Sequence, residues 1–133
     1  MKRVVVAFGT RPEAIKLAPV IFALRRIPDL DVVVVLTGQH REQLDSALRV
    51  FGIAADVDLG LMESRQTLPE LSSRVITAFA RSLREIRPDY VVVHGDTMSA
   101  FCVTLASFLE SVPVAHVEAG LRSGVPGWTP SRR

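Results

Sequence analysis

The amino-acid sequence predicts an α/β fold, a Rossmann-like doubly wound parallel sheet with helices on both faces. Short valine-rich segments alternate along the 133 residues with longer segments of helical periodicity. The valine-rich segments are apolar at successive positions, which is typical of parallel strands buried on both faces. Strands that alternate with helices are joined by right-handed crossovers. This length accommodates four or five strands in one domain.

The first strand and the first helix follow from the first 26 residues. Residues 3–8 are rich in valine and predict a strand. Thr10 and Glu13 have the Thr-x-x-Glu spacing of a capping box, which predicts a helix over residues 12–26. Pro19 lies inside this helix and is expected to kink or split it. The apolar positions on one face of the helix are Ile15, Ala18 and Phe22.

The next segments predict a second strand and a second helix. Residues 31–36 contain four successive valines and predict a buried strand. Residues 41–51 predict a helix, which Gly52 ends. Residues 53–66 form a polar connection, in which a short strand is expected near Val57.

The clearest helical pattern spans residues 68–86. Pro69 suits the first turn, and Arg87 followed by Pro88 ends the helix. Apolar residues recur there at helical spacing, namely Leu68, Leu71, Val75, Ile76, Phe79, Leu83 and Ile86. The remaining elements are a strand, an apolar helix and a last strand, over residues 90–94, 98–110 and 114–117.

Composition and missing motifs exclude several classes of protein. The net charge is only +2 and no basic run is interleaved with aromatics, so no nucleic-acid partner is expected. The single cysteine, Cys102, is expected in the core, and three scattered histidines predict no metal site. No apolar run could span a membrane and no signal peptide is evident, so the expected location is cytoplasmic. The Gly-x-Gly-x-x-Gly fingerprint is absent after the first strand, so NAD and FAD are not expected.

Polar residues gather where the predicted strands end. Four polar segments directly follow strands, over residues 9–16, 37–42, 94–97 and 116–122. In a parallel sheet these ends share one rim, where ligands bind. Cations that could hold a phosphorylated ligand lie there beside carboxylates that could move protons, namely Arg11, Lys16, His40, Asp96, Glu118 and Arg122. The combination suggests a sugar-nucleotide enzyme.

Purely structural roles remain open for Arg11, Lys16 and Asp96. Arg11 would pair with Glu13 on the surface, and Lys16 would be an ordinary solvated helix residue. Asp96 would cap the helix that follows it, which is a common role for aspartate.

Structural roles also remain open at the ends of the last two strands. Glu118 follows an apolar strand, where a carboxylate is costly unless paired, and Arg122 is a candidate partner. His94 and His116 would be hydrogen-bonded core histidines.

At these segments the sequence closely resembles the non-hydrolysing UDP-N-acetylglucosamine 2-epimerases. The resemblance covers residues 1–124 and rests on four blocks in the family's order and spacing. They are Gly-Thr-Arg-Pro-Glu-Ala-Ile-Lys-Leu-Ala-Pro from Gly9, Thr-Gly-Gln-His-Arg-Glu from Thr37, His-Gly-Asp-Thr from His94 and His-Val-Glu-Ala-Gly-Leu-Arg from His116. The resemblance implies a GT-B-like architecture of two Rossmann-like domains, of which residues 1–124 would be the N-terminal one.

The resemblance also implies a reaction and its participants. The family interconverts UDP-GlcNAc and UDP-ManNAc by C2 proton abstraction, UDP elimination and re-addition, without a cofactor, and its members are homodimers. By motif, Asp96, Glu118 and Lys16 would be catalytic, and Arg11, Lys16 and Arg122 would bind substrate. Bacterial members bind a second UDP-GlcNAc as an activator. The positions that match this activator site are Gln39, His40, Glu42, Arg65 and Gln66.

The end of the sequence departs from the family pattern. After Gly124 the family continues as Ser-Pro-Trp/Phe-Pro-Glu-Glu-x-Asn-Arg, whereas residues 125–133 contain neither glutamate and are treated as a divergent tail. The 133 residues also contain no counterpart of the C-terminal domain, which supplies most nucleotide contacts in the family. We therefore expect a truncated chain that is inactive on its own, since lost preorganised groups cost about 10²–10³ in rate each.

Two other functions remain open from the sequence. The acceptor-side domain of a GT-B glycosyltransferase would account for the fold but not for the carboxylates at the rim. A non-catalytic module for sugar-nucleotide binding or dimerisation would use the apolar helices as an interface.

Overall fold

The computed structural model describes residues 1–38, 41–61 and 65–118. The strands are β1 (Lys2–Phe8), β2 (Leu30–Leu36), β3 (Val57–Asp58), β4 (Tyr90–His94) and β5 (Val114–Val117). The helices are α1 (Arg11–Arg25), α2 (Arg41–Phe51), α3 (Leu68–Ile86) and α4 (Met98–Leu109). The predicted elements are confirmed, with the ends of the main strands and helices within one residue of the prediction. No helix of the described residues is long and apolar enough to cross a membrane.

The strands form one parallel sheet in the order β3-β2-β1-β4-β5. After β1 the chain passes through α1 to β2 on one side, and it later returns through α3 to β4 on the other side of β1. The order therefore reverses between β1 and β4. In open α/β sheets such a switch point opens a crevice at the carboxyl ends of the strands, where ligands bind.

The central strand β1 is buried on both faces. Val4, Val6 and Phe8 pack against α1 and α2 on one face of the sheet. Val5 and Ala7 pack against α3 and α4 on the other face. The doubly wound architecture is thereby confirmed, and Cys102 is buried in the second layer as predicted.

The first helix differs from its prediction in two respects. α1 is not split at Pro19, which lies on the exposed side of the helix, where water can satisfy the carbonyl that loses its partner. Ile15 and Phe22 are exposed, so the predicted apolar face was wrong for both. Because α1 is apolar around much of its circumference, sequence spacing did not identify the core face, which consists of Ala14, Leu17, Ala18 and Ile21.

Two helices begin with the same Thr-x-Pro-Glu capping sequence. In α1 the hydroxyl of Thr10 accepts the backbone N–H of Glu13 at 3.5 Å, and in α3 that of Thr67 accepts the N–H of Glu70 at 3.3 Å. The two glutamates differ in environment, since Glu13 is 1% exposed whereas Glu70 faces solvent. Capping of a helix by this sequence therefore does not require a buried glutamate.

Replacement of Gly38 by alanine tests the close approach of the loops that follow β2 and β3. Gly38 has φ +82°, and a Cβ there would lie 2.9 Å from the backbone N of Leu61. Strain of about 1–2 kcal/mol from the positive φ adds to about 1–3 kcal/mol of overpacking. G38A should lower the free energy of unfolding in urea by about 3 kcal/mol.

Gly52 offers a matched control for this prediction. It has φ +66°, but a Cβ there would meet nothing within 4 Å. G52A should therefore lose only the strain contribution, about 1–2 kcal/mol. Equal losses in the two variants would show that the contact with Leu61 carries no cost.

Candidate functional site

A hollow of about 370 Å³ lies at the switch point of the sheet. Its volume falls in the range of small-molecule sites. Three predicted site residues come together there, two from the first turns of α1 and one directly after β5. The lining residues are Arg11, Pro12, Ile15, Lys16, His94 and Glu118.

The carboxylate of Glu118 is held between a lysine and a histidine. Its Oε1 lies 3.4 Å from Lys16 Nζ, and its Oε2 lies 2.8 Å from His94 Nε2. The hydrogen bond with His94 is the main cause that lowers the pKa of Glu118, and the charge of Lys16 adds to it. Glu118 is thus ionised near neutral pH and able to accept a proton. It also has φ +57°, a strained conformation of a kind found at functional sites.

His94 is the neighbour of Glu118 that sequence reasoning assigned to the core. It is buried. It lies two positions after Val92 in β4, so both side chains point to the same face of the sheet, the one covered by α1. A carboxylate partner at Nε2 requires the proton on that nitrogen, while Nδ1 has no hydrogen-bond partner among the described residues. His116 is exposed, with Nε2 2.6 Å from the carbonyl of Gly95, so its assignment to the core was wrong.

Glu13 is a buried carboxyl directly behind this rim. Its Oε1 accepts the Thr10 hydroxyl at 2.7 Å and the Gly9 N–H at 3.3 Å. The hydroxyl of Thr97 lies close enough to lower the pKa of Glu13, yet Oε2 is buried without a hydrogen-bond partner of regular geometry in the described part of the chain. Burial outweighs these contacts and raises the pKa of Glu13 to about 7.

The predicted alternative of a surface pair between Arg11 and Glu13 is therefore wrong. The two side chains lie on different sides of α1, because Arg11 is exposed and Glu13 is buried. Once the core face of α1 is known, helical spacing explains the burial, since Glu13 precedes the core residue Leu17 by four positions.

Asp96 lies exposed on the turn between β4 and α4. Its predicted alternative role as the helix cap is wrong, because the Thr97 hydroxyl accepts the N–H of Ala100 at 3.0 Å and caps α4. Asp96 follows the lining residue His94 by two positions but does not itself line the hollow.

The candidate activator residues are described in part. Glu42 is exposed in the first turn of α2, and Arg65 is exposed with φ +66°. Gln66 is held in place, since its amide donates to the carbonyl of Leu61 at 3.2 Å and accepts from Arg74 at 3.4 Å. Three predicted site residues lie outside the described residues, namely Gln39, His40 and Arg122.

The polar groups of the hollow suit an anionic ligand. Arg11 and Lys16 offer positive charge in the first turns of α1, where the backbone N–H groups and helix dipole also favour an anion. The described residues contain no group of three histidine, cysteine or acidic side chains that could hold a metal ion. The fold and the site together define a Rossmann-like domain with a hollow at its switch point that is lined by two cationic side chains.

Comparison with known proteins identifies the family. A family model described as UDP-N-acetylglucosamine 2-epimerase matches residues 22–125. The UDP-N-acetylglucosamine 2-epimerase of Bacillus subtilis is 47% identical over 122 residues, which are 92% of this chain and 32% of that protein. The crystal structure of Neisseria meningitidis UDP-GlcNAc 2-epimerase bound to UDP-GlcNAc has 46% identity and a TM-score of 0.85, covering 91% of this chain and 33% of that one. The chain belongs to the UDP-N-acetylglucosamine 2-epimerase family.

The extent of these matches adds two facts. The chain spans about a third of the length of the curated relatives that it matches. Acinetobacter baumannii MurG has a TM-score of 0.67 over 87% of this chain and 35% of its own, at 17% identity, which is a likeness of fold alone. The resemblance stated from the four sequence blocks and the Rossmann-like fold are both confirmed.

The raised pKa of Glu13 predicts how stability depends on pH. A pKa of about 7 in the folded chain against an ordinary 4.5 means that the native state binds this proton more tightly. Its contribution is present in full below pH 4.5 and is lost as pH rises to about 7, at a cost of about 3 kcal/mol. E13Q keeps an oxygen acceptor without the titration. Its stability should therefore gain about 3 kcal/mol relative to the native sequence between pH 4.5 and pH 8.

Urea unfolding across this pH range measures the effect, and E70Q is the matched control. Glu70 has the same capping position but is exposed, so E70Q should follow the native sequence at every pH. Parallel curves for E13Q and the native sequence would contradict the prediction.

Proposed function

We propose that this chain forms one wall of the active site of a UDP-N-acetylglucosamine 2-epimerase. Arg11 and Lys16 hold the diphosphate of UDP-GlcNAc, and Glu118 and Asp96 transfer protons at C2 of the sugar. The observation that carries the proposal is the contact of Glu118 with both Lys16 and His94 in the hollow at the switch point. Relatives named UDP-GlcNAc 2-epimerase, one of them solved with UDP-GlcNAc, support the choice of ligand.

Ligand binding changes the partner of Lys16. In the free chain its ammonium group lies 3.4 Å from Glu118, and both side chains are partly exposed. A diphosphate with two negative charges competes for this cation more effectively than a single solvated carboxylate. The exchange leaves Glu118 free of Lys16 while the hydrogen bond from His94 still orients it. Substrate binding thus prepares the carboxylate for proton transfer.

The reaction then needs two proton-transfer groups and a stabilised leaving group. A carboxylate removes the proton from C2, the C1–O bond breaks with its electron pair passing to UDP, and a C1–C2 double bond forms. UDP adds back to C1 while a proton is delivered to the opposite face of C2, which consumes the double bond and restores the nucleotide sugar with C2 inverted. Cations beside the departing diphosphate stabilise the charge that develops on it. Glu118 and Asp96 are the carboxyl groups at this rim suited to the two faces.

The described residues would contact the ligand from one side. The lining of the hollow comes from α1, the end of β4 and the residue after β5. The relatives are about three times as long as this chain, which supports a second wall outside it. We therefore propose that the 133-residue chain binds UDP-GlcNAc weakly and does not epimerise it.

Replacement of Lys16 by methionine tests the assignment of the diphosphate contact. NMR titration of the chain with UDP-GlcNAc should give shifts at the residues of the hollow, with a dissociation constant in the millimolar range. K16M should weaken binding about fivefold, the value of a partly exposed ion pair. K2M is the matched control, because Lys2 lies at the opposite end of the sheet beside Asp89. The K2M variant should bind UDP-GlcNAc like the native chain.

Two outcomes would contradict the proposal. If saturating UDP-GlcNAc moves no signal of the hollow, the assigned ligand is wrong. If the chain alone incorporates deuterium at C2 of UDP-GlcNAc in heavy water, a single wall is not the correct description of its site.

We also propose that the outer face of α4 is the surface through which two copies associate. Phe101, Phe108 and Leu109 are 66%, 75% and 62% exposed. Phe101 and Phe108 lie seven residues apart and therefore on the same side of the helix. Contiguous apolar surface of this kind marks interaction sites. Family membership supports a second copy as the partner.

Light scattering of variants tests this surface. F108S should lower the average mass towards that of a monomer. V50S is the matched control, because Val50 is 80% exposed on α2 and should leave the mass unchanged. A monomeric native chain at high concentration would contradict the assignment.

A further inference from the structure

The burial of Glu13 is unexplained by helix capping. α3 begins with the same Thr-x-Pro-Glu sequence, and its cap functions with an exposed Glu70. Burial of a carboxyl group without a charged partner costs free energy. Glu13 nevertheless is 1% exposed, with Oε2 unpartnered within the described ranges. A second role of this side chain would account for the difference.

The neighbours of Glu13 come from both sides of the switch point. The Gly9 N–H stands at the end of β1, and the Thr10 hydroxyl caps α1. The Thr97 hydroxyl caps α4, which begins after β4 on the opposite face of the sheet. All three groups are neutral, and no charged side chain of the described residues contributes to the pKa of Glu13. Its carboxyl therefore lies at the N-terminus of α1, near the cap of α4, without an ion pair.

We propose that Glu13 is a positioning residue that joins the N-termini of α1 and α4 across the switch point, and that its proton couples their placement to the binding of the anionic sugar nucleotide. Arg11 and Lys16 stand in the first turns of α1, and Asp96 directly precedes the cap of α4. The separation of the two helix starts therefore sets the separation of these site residues. The ligand in this inference rests on the proposed function, whereas the coupling between the helices does not.

The charge of Glu13 explains the direction of the coupling. An ionised Glu13 places an uncompensated negative charge behind a rim that binds an anion, and it draws the Gly9 N–H and both threonine hydroxyls towards itself. A neutral Glu13 leaves the positive ends of α1 and α4 available to the ligand. By thermodynamic linkage, a ligand that prefers the neutral form also raises the affinity of Glu13 for its proton.

The first experiment follows the helix coupling without a ligand. The ¹³C shift of the Glu13 carboxyl should titrate with a midpoint near 7 in the native chain. The amides of Gly9 and Ala100 should follow the same midpoint, because Gly9 donates to Glu13 and Ala100 donates to the Thr97 hydroxyl. In E13Q both amides should lose this titration, whereas E70Q should retain it.

The second experiment measures ligand coupling. UDP-GlcNAc is a suitable probe because its diphosphate has no group that titrates between pH 6 and pH 8. Its dissociation constant for the native chain and for E70Q should rise about fivefold over this range, a typical size for coupling between sites. For E13Q it should stay constant.

Each outcome decides between the proposal and its alternatives. The proposal would be overturned by a Glu13 midpoint near 4.5, or by an Ala100 amide that does not follow the Glu13 midpoint. It would also be overturned if these amides titrate unchanged in E13Q, because the titration would then not arise from Glu13. If the native chain binds no UDP-GlcNAc at any pH, the proposed function fails, and the carboxyl and amide titrations still decide whether Glu13 couples the helices. If E13Q does not fold, the joint midpoint in the native chain decides it.

Discussion

The position of β1 between two parallel neighbours is the constraint on which the rest of this structure depends. A strand buried on both faces cannot leave the sheet except at its ends, and after Phe8 the chain passes through two residues into α1 at Arg11. The return of the chain to β4 on the other side of β1 brings a second helix, α4, to the same rim. Two helix N-termini and the ends of two strands then meet in a small space, and their polar backbone groups must find partners there.

Much of this arrangement could be predicted from the sequence because it follows from local patterns. Successive valines indicate strands covered on both faces, and the regular spacing in residues 68–86 predicts α3 with correct ends. Because the carboxyl ends of parallel strands share one rim, the sequence also predicts that Lys16 and Glu118 lie near each other, although it does not predict their contact. The core face of α1 could not be predicted in the same way, since Ile15 and Phe22 are as apolar as the residues that are buried.

The contacts that define the site could not be predicted, because they depend on tertiary proximity. His94 ends β4, and Glu118, 24 residues later, directly follows the neighbouring strand β5, whose register aligns His94 with Val117. A histidine that looks like a core residue thereby becomes the group that orients a carboxylate. Likewise, Thr10–Glu13 and Thr67–Glu70 are the same capping pattern, and no local rule distinguishes the buried glutamate from the exposed one. The difference arises because α1 starts at the rim of the sheet beside β4, where Glu13 is covered.

The surroundings of Glu118 and Glu13 shift the pKa values of these two carboxyl groups in opposite directions. The hydrogen bond from His94 and the charge of Lys16 lower the pKa of Glu118, whereas burial without a cation raises the pKa of Glu13 to about 7. Pairs of titratable groups whose pKa values are pushed apart are typical of sites that move protons. Under the function proposed above, the division also serves the ligand. The exposed carboxylate is charged where it can exchange Lys16 for a diphosphate, while the buried carboxyl is neutral over part of the physiological range and adds no negative charge behind the anion. A rim with both carboxyls ionised would oppose the binding that Arg11 and Lys16 favour, so the dry surroundings of Glu13 contribute to binding although they cost stability.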